Sequence, residues 1–144
     1  MLKTVSLHEM LQGRPVVSTP AGTTVAEAAK LMSAANKGAI LVTEHGKLAG
    51  IFTERDLLRR VAAEGRDPGE VKVDEVMTTQ LVVGEPGDSY LTALRRMVSA
   101  SCRHLPVVDG DRVVGMVSRR DLMAVDIRQL EEEIARHDPS TLFI

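Results

Sequence analysis

Aromatic side chains are almost missing from this chain: Phe52, Tyr90 and Phe143 are the complete set, and there is no tryptophan. Proteins that grip single-stranded nucleic acid stack bases on aromatic faces, so that mode of binding is disfavoured from the start. Cysteine is equally scarce. Cys102 stands alone, which excludes an intrachain disulfide and any disulfide-stapled secreted scaffold. It reads as a small, half-buried filler rather than a reactive thiol. No apolar run exceeds a few residues, so no segment is expected to span a bilayer, and Met1–Met10 lacks an apolar stretch of signal-peptide length. The expected compartment is a reducing cytoplasm. An excess of charge of one sign is missing too: 18 basic against 20 acidic residues provide no global attraction to nucleic acid or to an anionic membrane.

Catalytic patterns are also lacking. There is neither a Walker-type phosphate loop nor a Gly-x-Gly-x-x-Gly, and His8, His45, His104 and His137 are scattered without metal-ligand spacing to the lone cysteine. Glu131-Glu132-Glu133 reads as a solvated helix face. The chain is therefore expected not to be an enzyme and to carry no catalytic cofactor or metal.

What the sequence does contain is a repeat. Gly50-Ile51-Phe52-Thr53-Glu54-Arg55-Asp56-Leu57 returns 65 residues later as Gly115-Met116-Val117-Ser118-Arg119-Arg120-Asp121-Leu122. The same offset pairs Val17 with Val82, Gly22 with Gly87, Ala28 with Ala93, Met32 with Met97, and Val42 with Val107. The lead-in segments rhyme at one residue more, Val5–Leu11 with Val71–Met77, and Ser6 followed by Glu9 has the form of a capping box.

Each half reads in the same order. Val16–Ser18 and Leu81–Val83 are short apolar strands. Thr23-Thr24 and Asp88-Ser89 supply helix caps, after which apolar residues recur at helical spacing. Ala39–Val42 and Leu105–Val108 are strands, followed by the turn signals Glu44-His45-Gly46 and Asp109-Gly110-Asp111. Leu48–Phe52 and Val113–Val117 are the returning strands, and a helix begins after Thr53 and after Ser118. The fold class is thus α/β (α+β), as β-α-β-β-α twice. The polar stretch Glu64–Gly69 is a connector too short to keep two domains apart. The expected division is residues 1–67, 68–125, and a helical extension at 126–144.

The two Gly-φ-φ-Ser/Thr-x-x-Asp segments in this setting, with His104-Leu105-Pro106-Val107-Val108-Asp109, resemble the cystathionine-β-synthase (CBS) domain family. The likeness runs from about Val5 to about Met123. The first repeat departs from it at Ala39-Ile40-Leu41-Val42, which has no proline. The resemblance implies a pseudo-twofold pair of repeats with two clefts, which bind AMP, ADP, ATP or a related adenosyl ligand such as S-adenosylmethionine or NAD. It also implies a homodimer, and a regulated partner that the sequence does not name.

Within such clefts an aspartate on the first helical turn suits a ribose, because its carboxylate accepts from both hydroxyls. The preceding hydroxyl and the free N–H groups of the helix start suit phosphate. Thr53 and Asp56 would serve one cleft, Ser118 and Asp121 the other. Ser/Thr-x-x-Asp is also simply a helix cap, but its recurrence in register favours the ligand role. Arg103 and His104, with Lys37-Gly38-Ala39 in the equivalent stretch, border the clefts in the resembling family, and Arg55 and Arg120 flank the aspartates. Each cation reads either as a phosphate contact or as a solubilising surface group. The resemblance crosses the partners: Val16, Val17 and Ser18 would line the Asp121 cleft, and Thr79, Leu81 and Val82 the Asp56 cleft. Lys37 would then be the lone cation opposite Asp56. Met123, Ile127, Leu130 and Ile134 form an apolar stripe, expected to be a dimer seam or to pack on its own repeat, on a helix ending near Asp138-Pro139. Thr141-Leu142-Phe143-Ile144 is expected to dock.

Overall fold

The structure, a computed structural model, describes residues 4–137. The expectations for Asp138-Pro139 and for Thr141–Ile144 lie outside the described residues. The Ser6 hydroxyl accepts from the Glu9 N–H at 3.2 Å and caps α1 (Leu7–Leu11), as the capping box implies. The first half continues with β1 (Ser18–Pro20), α2 (Val25–Ala35), β2 (Ala39–Glu44), β3 (Lys47–Thr53) and α3 (Glu54–Asp56), which runs on as a π-helical stretch over Leu57–Ala62. The second half has α4 (Val73–Val76), α5 (Tyr90–Ala100), β4 (His104–Asp109), β5 (Arg112–Ser118) and α6 (Arg119–His137).

Local chemistry sets these boundaries in parallel. Thr24 and Ser89 cap α2 and α5 by accepting from Glu27 and Thr92 N–H groups, each at 3.1 Å. Asn36 and Ser101, again 65 residues apart, end the same two helices in the left-handed conformation, at φ 54° each. His45 and Gly46 take φ 53° and 78°, the two successive left-handed residues that a tight hairpin needs between β2 and β3.

The halves differ where the sequence differs. In the first, β1 lies parallel to β2 and β2 antiparallel to β3. That first strand is Ser18–Pro20, two residues later than expected. The expected strand Leu81–Val83 does not form, and β4 and β5 make a two-stranded sheet joined to the preceding segment by a single Gly84–Val107 bridge. Pro106 supplies the reason. In the first half the Leu41 N–H donates to the Val17 carbonyl at 3.1 Å; the equivalent donor is Pro106, which has no N–H. The carbonyl equivalent to that of Val17 belongs to Val82, and the next one, that of Val83, accepts from the Arg96 guanidinium at 2.8 Å.

Packing crosses the repeats. Leu7, Met10 and Leu11 of α1 are buried in the second core with Tyr90, Met97, Leu105 and Leu122. Val71, Val73 and Val76 are buried in the first core with Val25, Ile40 and Phe52. A division at residue 67 therefore cuts through the first core. Each fully buried Leu or Val contributes about 1.5–3 kcal/mol, so each repeat depends on a segment lying outside its own sequence unit. A third cluster, Ala39, Leu41 and Ile51 against Leu81, Val113 and Met116, joins the two sheets. Finally, α6 is one unbroken helix across the expected boundary at 125/126. Its Leu122 is buried in the second core, Val125 packs against that core, and the Tyr90 hydroxyl donates to Asp126 at 3.2 Å. Burial and the Asp126 carboxylate both push the Tyr90 phenol up. Among the described residues no helix is long and apolar enough to cross a membrane.

Candidate functional site: a cationic cleft between the repeats

Both Ser/Thr-x-x-Asp segments do act as helix caps. The Asp56 N–H donates to the Thr53 hydroxyl at 3.2 Å, and the Thr53 N–H donates back to the carboxylate at 3.1 Å. Ser118 and Asp121 repeat this at 3.0 and 2.9 Å. What separates the two is everything else the carboxylates touch.

Asp56 is committed to its own chain. It is 6% exposed, accepts from the Thr78 hydroxyl at 3.1 and 3.3 Å, and pairs with Arg60 at 3.7 Å. Thr78 is held there by a two-way backbone bridge to Ile51, at 2.9 and 2.8 Å. Gly50 permits this close approach, since a Cβ there would lie 2.8 Å from the Thr78 carbonyl oxygen. Asp121, by contrast, keeps a quarter of its side chain exposed and faces a cleft of about 1510 Å³. Among the described residues its only partner outside the cap is Arg14 at 3.6 Å, and its Oδ1 makes no hydrogen bond. The edge of β5 differs in the same sense. Met116, equivalent to Ile51, lines the cleft, and among the described residues no segment bridges to it as Thr78 does to Ile51.

The cleft gathers residues from both repeats. Val17, Lys37, Gly38, Arg103, His104, Ser118, Arg120 and Asp121 of the expected set are on its walls. Lys37 was expected opposite Asp56; instead it shares this cleft with Arg103 and His104. The reason is the Ala39–Leu41–Ile51 contact between the sheets, which brings the starts of β2 and β4 together. Equivalent bonds hold the two starts, Glu54 N–H to the Gly38 carbonyl at 3.0 Å and Arg119 N–H to the Arg103 carbonyl at 2.9 Å.

The other expected residues stand elsewhere. Ala39 is fully buried in the inter-repeat cluster, with Leu81 packed against it. Val16, Ser18, Arg55 and Thr79 are exposed and not among the cleft walls, and neither Thr53 nor Asp56 is on them. Val82 borders a separate surface hollow beside Arg95 and Arg96.

Three charged residues of the cleft escaped the sequence reading: Arg14, Glu54 and Arg119. Glu54 and Arg119 were legible in principle, because they sit between the hydroxyl and the aspartate of the repeated segment. Arg119 donates to the Cys102 carbonyl at 2.8 Å and so anchors the turn that presents Arg103 and His104. Arg14 gave no signal, since it lies outside every repeated motif.

In all, five cationic side chains (Arg14, Lys37, Arg103, Arg119, Arg120) face two carboxylates, Glu54 and Asp121. The cleft therefore favours an anion. Burial lowers the His104 pKa; Glu54 and Asp121 oppose the shift, and Arg103 and Lys37 reinforce it. The imidazole is accordingly neutral at pH 7, able to accept as well as donate. Among the described residues no group of three His, Cys, Asp or Glu side chains is placed to hold a metal.

Comparison with known families matches the CBS domain twice, over residues 9–63 and 73–128. This chain belongs to the CBS-domain family. The CBS domain-containing protein YhcV of Bacillus subtilis is 44% identical over 112 residues, which span 78% of this chain and 77% of YhcV. Among solved structures, the CBS domain protein PAE2072 of Pyrobaculum aerophilum, complexed with AMP, superposes with a TM-score of 0.77 at 25% identity, covering 88% of this chain and 98% of that one. The CBS domain pair of MJ0100, in complex with 5′-methylthioadenosine and S-adenosyl-L-methionine, gives 0.75 at 25% identity, over 85% and 96%. The CBS pair described here is thus a mixed α and β fold of two tandem repeats, and two of its structural neighbours hold adenosyl ligands.

Proposed function

We propose that this CBS pair is a regulatory module that binds one adenine nucleotide per chain (AMP, ADP or ATP) in the Asp121 cleft and signals its presence to a separate partner protein in the cytoplasm. The observation that carries this reading is the difference between the two aspartates: Asp56 is satisfied internally, whereas Asp121 opens onto a cleft walled by cations. Ribose hydroxyls would bond Asp121, phosphates would meet Arg103, Lys37 and the start of α6, and adenine would lie against Val17 and the Met116 edge of β5. The role proposed for these groups is to hold the ligand, in a regulatory module rather than an enzyme. Excess positive charge favours phosphorylated ligands, NAD among them, over the sulfonium cation of S-adenosylmethionine.

Titration calorimetry with ATP, AMP and adenosine tests the reading. Binding should saturate at one nucleotide per chain, tighter for ATP than for AMP. Arg103→Ala should weaken ATP roughly tenfold more than adenosine, the scale of one hydrogen bond to a charged group. No binding of any of the three leaves a purely structural dimerisation module as the function.

A homodimer goes with this reading. Met123, Ile127, Leu130 and Ile134 are 47, 54, 55 and 39% exposed, so the stripe is not buried against its own repeat, although Met123 and Ile127 also stand on the wall of the cleft. The opposite side of α6 does that, through Leu122, Val125 and Gln129. A second copy would hide the stripe by twofold symmetry. Light scattering at tens of micromolar should report a dimer, and Leu130→Glu/Ile134→Glu should report a monomer of unchanged helix content. A monomeric parent protein refutes the dimer.

A further inference from the structure

Arg14 stands on the loop between α1 and β1, with its N–H donating to the Leu11 carbonyl at 3.1 Å and Gly13 turning the chain at φ 75°. Because α1 packs in the second core, this loop is carried across to the second repeat, and the Arg14 guanidinium comes to rest 3.6 Å from Asp121 Oδ2. The pair is accessible, with side chains 46 and 25% exposed, and both residues line the cleft. The carboxylate oxygen facing Arg14 already accepts the Ser118 N–H, which leaves Oδ1 as the unengaged acceptor.

We propose that Arg14 is a specificity-determining residue that makes the cleft demand a phosphate. The inference rests on the reading of Asp121 as the ribose acceptor. A ribose that takes both carboxylate oxygens displaces the guanidinium. A nucleoside offers the displaced cation nothing in return, so the lost ion pair counts against binding. A nucleotide brings a phosphate into the same cleft, and a planar guanidinium can rebind it with paired N–H donors. Arg14 therefore penalises adenosine and rewards AMP with a single side chain. The first repeat has no such device, since Asp56 is held by Thr78 and Arg60.

The test is calorimetric titration of the full chain with adenosine and with AMP, for the parent protein, Arg14→Gln and Arg14→Lys, with thermal unfolding to verify folding. In the parent, AMP should bind more tightly than adenosine. Arg14→Gln should bind adenosine up to about fivefold more tightly and AMP more weakly, so that the AMP-to-adenosine preference falls by about tenfold or more. Arg14→Lys, which keeps the charge, should retain most of the preference. A parent protein that prefers AMP, with the same preference in Arg14→Gln, overturns the role of Arg14 while leaving the nucleotide reading intact. A parent that binds neither ligand overturns both.

Discussion

Asp121→Ala should weaken AMP binding by roughly 10- to 150-fold, about 1.5–3 kcal/mol, while Asp56→Ala should leave the affinity almost unchanged. Stability should respond in the opposite order. Removing Asp56 strips a buried acceptor from the Thr53 N–H and the Thr78 hydroxyl and leaves Arg60 without its ion pair. A lost cap plus unsatisfied buried donors should cost about 2–4 kcal/mol. For a chain of this size that lowers Tm by about 4–16 °C. Asp121→Ala gives up a cap at a more exposed position and should cost only about 1 kcal/mol. Calorimetric titration and thermal unfolding of the two variants measure the contrast. Equal losses of affinity would mean that both aspartates hold ligand, and the assignment to a single cleft would be wrong.

A second asymmetry should appear at the repeated glycines. Gly50→Ala should destabilise the fold by about 2–3 kcal/mol, and Gly115→Ala by about 1 kcal/mol or less. A Cβ on Gly50 would lie 2.5 Å from Met77 Sδ and 2.8 Å from the Thr78 carbonyl oxygen. The second contact is with backbone already bonded to Ile51, so relief requires breaking the bridge that brings Thr78 to Asp56. At Gly115 the nearest atoms belong to the flexible end of Leu11, at 3.1 and 3.2 Å, and a small rotation accommodates the methyl. Urea unfolding of the two variants compares them directly. Similar midpoints would show that the Thr78 segment yields easily, and with it the argument that the Asp56 side is closed by its own chain.

Much of the architecture was legible in the residues. The helix caps at Ser6, Thr24 and Ser89, the hairpin turns, and the helices beginning after Thr53 and Ser118 all depend on partners within about four residues, which a linear reading can see. The repeat itself identified the pair and singled out its two aspartates. The strand expected over Leu81–Val83 fails for a reason outside its own residues: Pro106, in the neighbouring strand, has no N–H to donate to it.

By itself, then, the sequence determined the tandem CBS repeat, the order of its elements apart from the strand expected at Leu81–Val83, and most of the chemical types in its cleft. Tertiary structure alone decided how those types are used. Two copies of one motif carry identical local information, so nothing nearby in the chain distinguishes Asp56 from Asp121. The distinction comes from groups that are close only in space. Thr78 reaches Asp56 because the segment after α4 lies along β3, and Arg14 reaches Asp121 because α1 packs in the other repeat's core. Lys37 joins Arg103 because the sheets meet at Ala39, Leu41 and Ile51. Carboxylates and guanidinium groups act over a few ångströms, and it is the crossed packing of the repeats that sets which of them come that close.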